Sequence, residues 1–124
     1  GGFGFQQSAP GTEATTLYHF PVRLEGGGFS HLDASRVGEA LSAELGCWVH
    51  PPYQPLDRHA LLDIGSAPRF SGSTRATGTL PQAWQAHRRY VVLPHQLFLG
   101  TVQDMQDIAT AFDKVKRLAH RLQD

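Results

Sequence analysis

The chain is poor in several things, and each shortage excludes something. It holds one cysteine in 124 residues, Cys47. No internal disulfide framework is therefore available, and the usage fits a reducing, cytoplasmic compartment. Lysine is almost missing: Lys114 and Lys116 are the two, both near the C-terminus. Excess charge is missing as well, since 11 basic residues balance 11 acidic ones. Proteins of nucleic acid or of membrane surfaces carry a basic excess as a rule, so neither partner is expected. No apolar run approaches the roughly 18 residues that cross a bilayer. No charged-then-apolar export signal is visible either. Residue 1 is not methionine, from which we expect a cut end there. A chain of 124 residues suits one domain with a modest core.

What is present is organised in short, punctuated blocks. Residues 1–16 are rich in Gly, Gln, Ser and Thr, have no period, and read as a linker or extended arm. Leu17–Leu24 reads as a strand with Tyr18, Phe20, Val22 and Leu24 on one face and His19 and Arg23 on the other. Pro21 lacks a ladder donor, which predicts an edge position or a bulge. Gly26-Gly27-Gly28 reads as a turn. Asp33 is a suitable N-cap for a helix in which Val37, Leu41 and Leu45 recur every four residues, and Gly46 supplies a left-handed stop. Cys47–Val49 reads as a short strand.

From Pro51 to Leu80 prolines interrupt any period, and Ser71–Gly78 has a flexible-loop composition. Pro81 opens a helix that runs through Arg89, and Tyr90–Leu93 is a compact apolar strand stopped by Pro94. Thr101 and Asp104 make a capping-box start for the last helix, whose apolar stripe is Val102, Met105, Ile108, Phe112, Val115, Leu118 and Leu122. Three short strands interleaved with helices predict an α+β fold, a small sheet with helices on one face.

Gly46–His59 is the stretch richest in chemistry. Its prolines stiffen a loop that carries His50, Tyr53 and His59. No histidine pair has the i, i+4 spacing of a zinc-binding helix, and Cys47 has no companion thiol, so no metal site is expected. Cys47, between Gly46 and Trp48, reads as a buried and inert thiol. Ser71 and Ser73 lack a nucleophile-elbow pattern. The glycine triplet precedes no helix at the spacing of a phosphate cradle. Arg88-Arg89 reads as a solvated helix end. A Schiff-base enzyme needs a lysine in a pocket, whereas Lys114 and Lys116 read as solvated. By its own residues the chain carries no complete active site, and no catalytic, cofactor-binding or metal-ligating residue is assigned.

Four blocks in order resemble the C-terminal small domain of the DegT/DnrJ/EryC1/StrS family of sugar and aminocyclitol aminotransferases. They are Tyr18–Arg23, Asp33–Gly46, Val49–Asp57, and Arg89–His95 followed by Thr101–Asp104; together they span roughly residues 17 to 118. The third is similar to the family's His-Tyr-x-Pro-Leu-His loop, but has Asp57 in place of the final histidine and Pro51 intercalated. Leu93–Gly100 is closer to the aminocyclitol and aminohydroxybenzoate branch.

The resemblance implies a small antiparallel, about three-stranded sheet over residues 17–124, as in fold-type I enzymes that use pyridoxal phosphate. It implies a parent homodimer that transfers nitrogen from an amino acid to a keto-sugar or keto-cyclitol in sugar or antibiotic biosynthesis. The Schiff-base lysine and most cofactor ligands would lie in a large domain, the partner of this one. His50 and Tyr53, with His95 third, are the candidate substrate-binding residues. The surface facing the large domain would be bare in the isolated chain, which favours self-association. The alternative is a free-standing, non-catalytic binding or regulatory module that keeps the same fold.

Overall fold

The computed structural model describes residues 2–59 and 79–122. Its elements are β1 (Phe3–Phe5), β2 (His19–Leu24), α1 (Ala34–Leu45), α2 (Pro81–Arg89), β3 (Tyr90–Pro94) and α3 (Val102–Arg117). Short 3-10 helices lie at Gly27–Phe29, Leu56–Arg58, His95–Leu99 and Ala119–Arg121. The flexible composition expected over 71–78, with Ser71 and Ser73, lies outside the described residues. No described helix is long and apolar enough to cross a membrane.

The strands form one antiparallel sheet in the order β1-β2-β3. This is the expected α+β architecture, with a different set of strands. β1 comes from the segment read as a linker or arm. Three residues are too few to show a period; what gives Phe3 a face is its contact with the rings of Phe29 and Phe112, each centroid 4.8 Å away. Cys47–Val49, read as a strand, is not one.

Pro21 was expected at an edge or bulge, yet β2 is the central strand. The register explains how it is tolerated. Val92, opposite Pro21, spends its N–H and carbonyl on His50, away from β2, at 2.8 and 3.5 Å. Pro21 and Val92 therefore form a non-hydrogen-bonded pair, and the missing donor of Pro21 faces the β1 side. β1 ends opposite Val22. At Pro21 the central strand is locally an edge, and no ladder bond is lost.

The inner face of the sheet carries Phe20, Val22, Leu24, Val91 and Leu93, packed with Val37 and Leu41 of α1 and Phe112 and Val115 of α3. Each such side chain contributes about 1.5–3 kcal/mol on burial. Lys114 of α3 also meets Glu44 of α1 at 2.7 Å, but both are partly exposed. Such a pair is worth at most about 1 kcal/mol, so apolar packing holds the two helices together. The expected stripe of α3 is half-buried at Met105 and Ile108, and fully buried residues begin only at Ala111. Val102 is exposed, and Ala111 and Ala119 join the buried side.

Both helix starts follow from their caps. Asp33 accepts the Ser35 N–H at 3.0 Å, and Thr101 and Asp104 form a reciprocal capping box. Arg89 departs from the solvated reading: its guanidinium donates to the carbonyls of Leu24 (2.9 Å) and Phe29 (3.0 Å), stapling the end of α2 to the end of β2.

Candidate functional site

The site begins where α1 ends. Gly46 adopts φ 65° and its N–H closes on the Ser42 carbonyl at 2.9 Å. The chain then runs back along α1. A Cβ on Gly38 would stand 2.9 Å from the Val49 carbonyl oxygen, so only glycine permits this approach. One turn on, Ser42 Oγ accepts the Val49 N–H at 2.9 Å and lies 3.0 Å from its carbonyl. These bonds to a side chain replace a strand ladder, which is why Cys47–Val49 is irregular. Pairing resumes at His50, an isolated bridge to Val92 on the free edge of β3. Cys47 is half-buried against the core rather than fully buried, and burial pushes its thiol pKa up, away from the reactive thiolate.

Paired residues share a sheet face. Val92 points opposite to Val91 and Leu93, so His50 belongs to the outer face, together with His19. There the rings form a continuous strip. Trp48 stacks on His50 (centroids 3.8 Å, planes 24° apart), and His19 meets His50 edge-on at 5.6 Å. Tyr18 lies 4.3 Å from His19 and 6.5 Å from His95, while Tyr53 stands 6.4 Å from His50. His50 and Tyr53 are thus direct neighbours, and His95 joins them only through Tyr18 and His19. Tyr18, Trp48 and Tyr53 are 74%, 73% and 79% exposed. His59, at the far end of the loop, is also exposed.

The strip fixes the tautomers of two of its histidines. His50 Nδ1 lies 2.6 Å from the Pro51 carbonyl and His95 Nδ1 lies 3.3 Å from that of Tyr18. A carbonyl only accepts, so Nδ1 carries the proton in both, and Nε2 is the acceptor of the neutral ring. Sequence reading found His50, Tyr53 and His95 but passed over Tyr18, His19 and Trp48. Their signal was a local concentration of rings on either side of β2 and after Gly46. The pairing that makes one strip of them is long-range.

The proline loop is tied to α2. His87 Nδ1 donates to the Pro52 carbonyl at 2.7 Å, and Trp84 Nε1 donates to both oxygens of Asp57 at 3.0 and 3.1 Å. Asp57, the departure from the family loop, is therefore an acceptor matched to Trp84.

A pyridoxal phosphate is not fitted by the described residues. Lys114 is exposed and paired with Glu44, and Lys116 is exposed near Gly2. No cluster of three or more His, Cys, Asp or Glu among the described residues is placed to hold a metal. A different feature is a groove of about 520 Å³ between the sheet and α3, lined by Phe5, Phe20, Phe98, Met105 and Ile108, with Lys116 at its side.

No family model matches the chain. Individual relatives do. Over 123 residues it is 42% identical to an L-glutamine:2-deoxy-scyllo-inosose aminotransferase of Streptomyces lividus, covering 94% of this chain. It is 39% identical over 97% of its length to the enzyme of the same name from Streptomyces kanamyceticus. It is 34% identical over 92% to an L-glutamine:scyllo-inosose aminotransferase of Streptomyces griseus. The chain spans about 29% of the length of the first of these relatives. Nearly all of its sequence aligns at this level with L-glutamine-dependent inosose aminotransferases, and the motif blocks fall in the same family: the chain belongs to the DegT/DnrJ/EryC1/StrS aminotransferases.

Proposed function

We propose that the chain is the C-terminal small domain of a pyridoxal-phosphate-dependent aminotransferase that aminates a keto-cyclitol, and that its ring strip is the acceptor-facing wall of the active-site cleft. The observation that carries this reading is the strip itself. His50 is flanked by Trp48 and Tyr53 and linked through His19 to Tyr18, and the rings of Trp48, Tyr53 and Tyr18 are largely exposed. A cyclitol has hydroxyls at its rim and C–H groups on its faces, so it suits such a surface. His50 Nε2 accepts from a ring hydroxyl, the Tyr53 hydroxyl donates or accepts, and an indole or phenol face covers the apolar side of the ring. His95 marks the far end of the same wall.

Pyridoxal phosphate, when bound, supplies the electron sink for nitrogen transfer. Its lysine would come from a large domain elsewhere in the parent protein, the principal partner of this chain. The relatives are longer than the chain, which supports such a partner over a free-standing module. Cytoplasmic residence agrees with the single unpaired Cys47.

The test is kinetic and uses the full-length protein, with L-glutamine as donor and 2-deoxy-scyllo-inosose as acceptor, the substrates in the relatives' names. His50→Ala and Tyr53→Phe are expected to impair the acceptor half-reaction about tenfold, the effect of one lost hydrogen bond to a bound ligand. The glutamine half-reaction and the melting temperature should change little. Equal losses in melting temperature and in both half-reactions would assign these residues to packing.

A further inference from the structure

We propose that α2 sets the position of Tyr53, with Trp84 and His87 acting as positioning residues for the acceptor-facing loop. The inference rests on the substrate-facing reading of that loop.

The loop cannot be held by a strand ladder. Pro51, Pro52 and Pro55 have no N–H to give a ladder. Pro55 is buried and pins one point of the loop, whereas its neighbours Tyr53, Gln54 and Leu56 are exposed. Two hydrogen-bonded anchors on α2 bracket this stretch. His87 holds the Pro52 carbonyl immediately before Tyr53, and Trp84 holds Asp57 immediately after Leu56.

The donors are matched to each other as well as to the loop. Trp84 and His87 are three residues apart and therefore share one face of α2. Their rings meet edge-on at 5.8 Å, and the Arg88 guanidinium lies 5.9 Å from the indole centroid. The indole N–H is shared between both carboxyl oxygens of Asp57. No residue of α2 is fully buried. The helix adds little to the core, and its ordered side chains are engaged with the loop through Trp84 and His87 and with β2 through Arg89.

The acceptor's requirements are set by the chemistry of the bracket. Trp84→Phe keeps the ring and loses the donor; Asp57→Leu keeps the bulk and loses the acceptor; Asp57→Asn keeps one accepting oxygen. In the full-length protein, Trp84→Phe and Asp57→Leu are each expected to raise the KM for 2-deoxy-scyllo-inosose about tenfold, with kcat and the glutamine half-reaction within about twofold. The double variant should lose less than the sum of the two singles, because both remove the indole–carboxyl bond they share. Asp57→Asn should stay near the parent.

Hydrogen exchange of the Tyr53, Gln54 and Leu56 amides gives a second, activity-free readout. It should speed up about tenfold in Trp84→Phe, Asp57→Leu and His87→Ala, and not in Asp57→Asn. Unchanged exchange in these variants overturns the clasp. So does an unchanged acceptor KM in Trp84→Phe when Tyr53→Phe raises it. Faster exchange with no KM effect even in His50→Ala and Tyr53→Phe would sink the substrate-facing reading and, with it, the kinetic role of α2.

Discussion

His50 is placed by backbone and side chain together: its main chain bridges Val92, its Nδ1–H is taken by Pro51, and its ring is stacked on Trp48. A ring held in this way presents Nε2 in one direction, which is why its removal should act on acceptor turnover before stability. Asp104 shows residue-scale electrostatics on the opposite side of function. The Thr101 hydroxyl donates to its carboxylate at 2.7 Å and the Thr101 N–H at 2.6 Å, and together they hold its pKa below the ordinary carboxylate value. A lowered folded-state pKa favours the folded protein above the unfolded pKa, and that contribution disappears as pH falls through the folded one. Thr101→Ala should therefore lower the melting temperature at neutral pH. The gap from the parent should narrow on acidification, as thermal unfolding across an acid series would show. A gap independent of pH would mean that the carboxylate adds nothing.

Among the elements, α1 does two jobs: Val37 and Leu41 enter the core, while Gly38 and Ser42 guide Val49 and His50 back along its surface. Its start and stop were legible, because Asp33 and Gly46 are local signals that need no partner. Gly38 was not, since a glycine inside a helix reads as a mere loss of propensity. Replacing it with alanine would gain about 1 kcal/mol of helix propensity. The new Cβ would face a backbone oxygen at 2.9 Å, which cannot move aside as a flexible side chain would. Steric displacement of Val49 should win, because it also strains the Ser42 bonds and shifts His50. Gly38→Ala is expected to lower stability by about 1–3 kcal/mol in denaturant melts and to weaken acceptor binding. A stabilised variant would refute the close approach. α2 gives the contrary lesson. Its start at Pro81 and its span through Arg89 were legible, yet Arg89 read as solvated and Trp84 drew no attention. Their partners Leu24, Phe29 and Asp57 are far away in sequence.

For the whole molecule, the strip leaves aromatic rings and the groove leaves apolar side chains open to solvent. The two lysines sit exposed on α3, so the chain alone mixed with pyridoxal phosphate should develop no internal-aldimine absorbance band. A clear band would show that Lys114 or Lys116 reacts in a way their surroundings do not suggest. The groove lined by Phe5, Phe20, Phe98, Met105 and Ile108 is apolar and open. The isolated chain is therefore expected to self-associate with rising concentration, and Phe5→Ser to reduce this; sedimentation showing a monomer throughout would contradict it. The sequence by itself determined α1, α2, β3 and α3, the caps at Asp33 and Thr101, and the candidates His50, Tyr53 and His95. Helical period, capping chemistry and proline stops act between residues within a turn or two, so they can be read along the chain. Only the tertiary structure decided that Phe3–Phe5 pairs as a strand, that Pro21 can sit in the central strand, that six rings make one strip, and that α2 clasps the proline loop. Each depends on groups brought together from distant parts of the chain, where sheet register and side-chain hydrogen bonds, rather than any local period, set the partners.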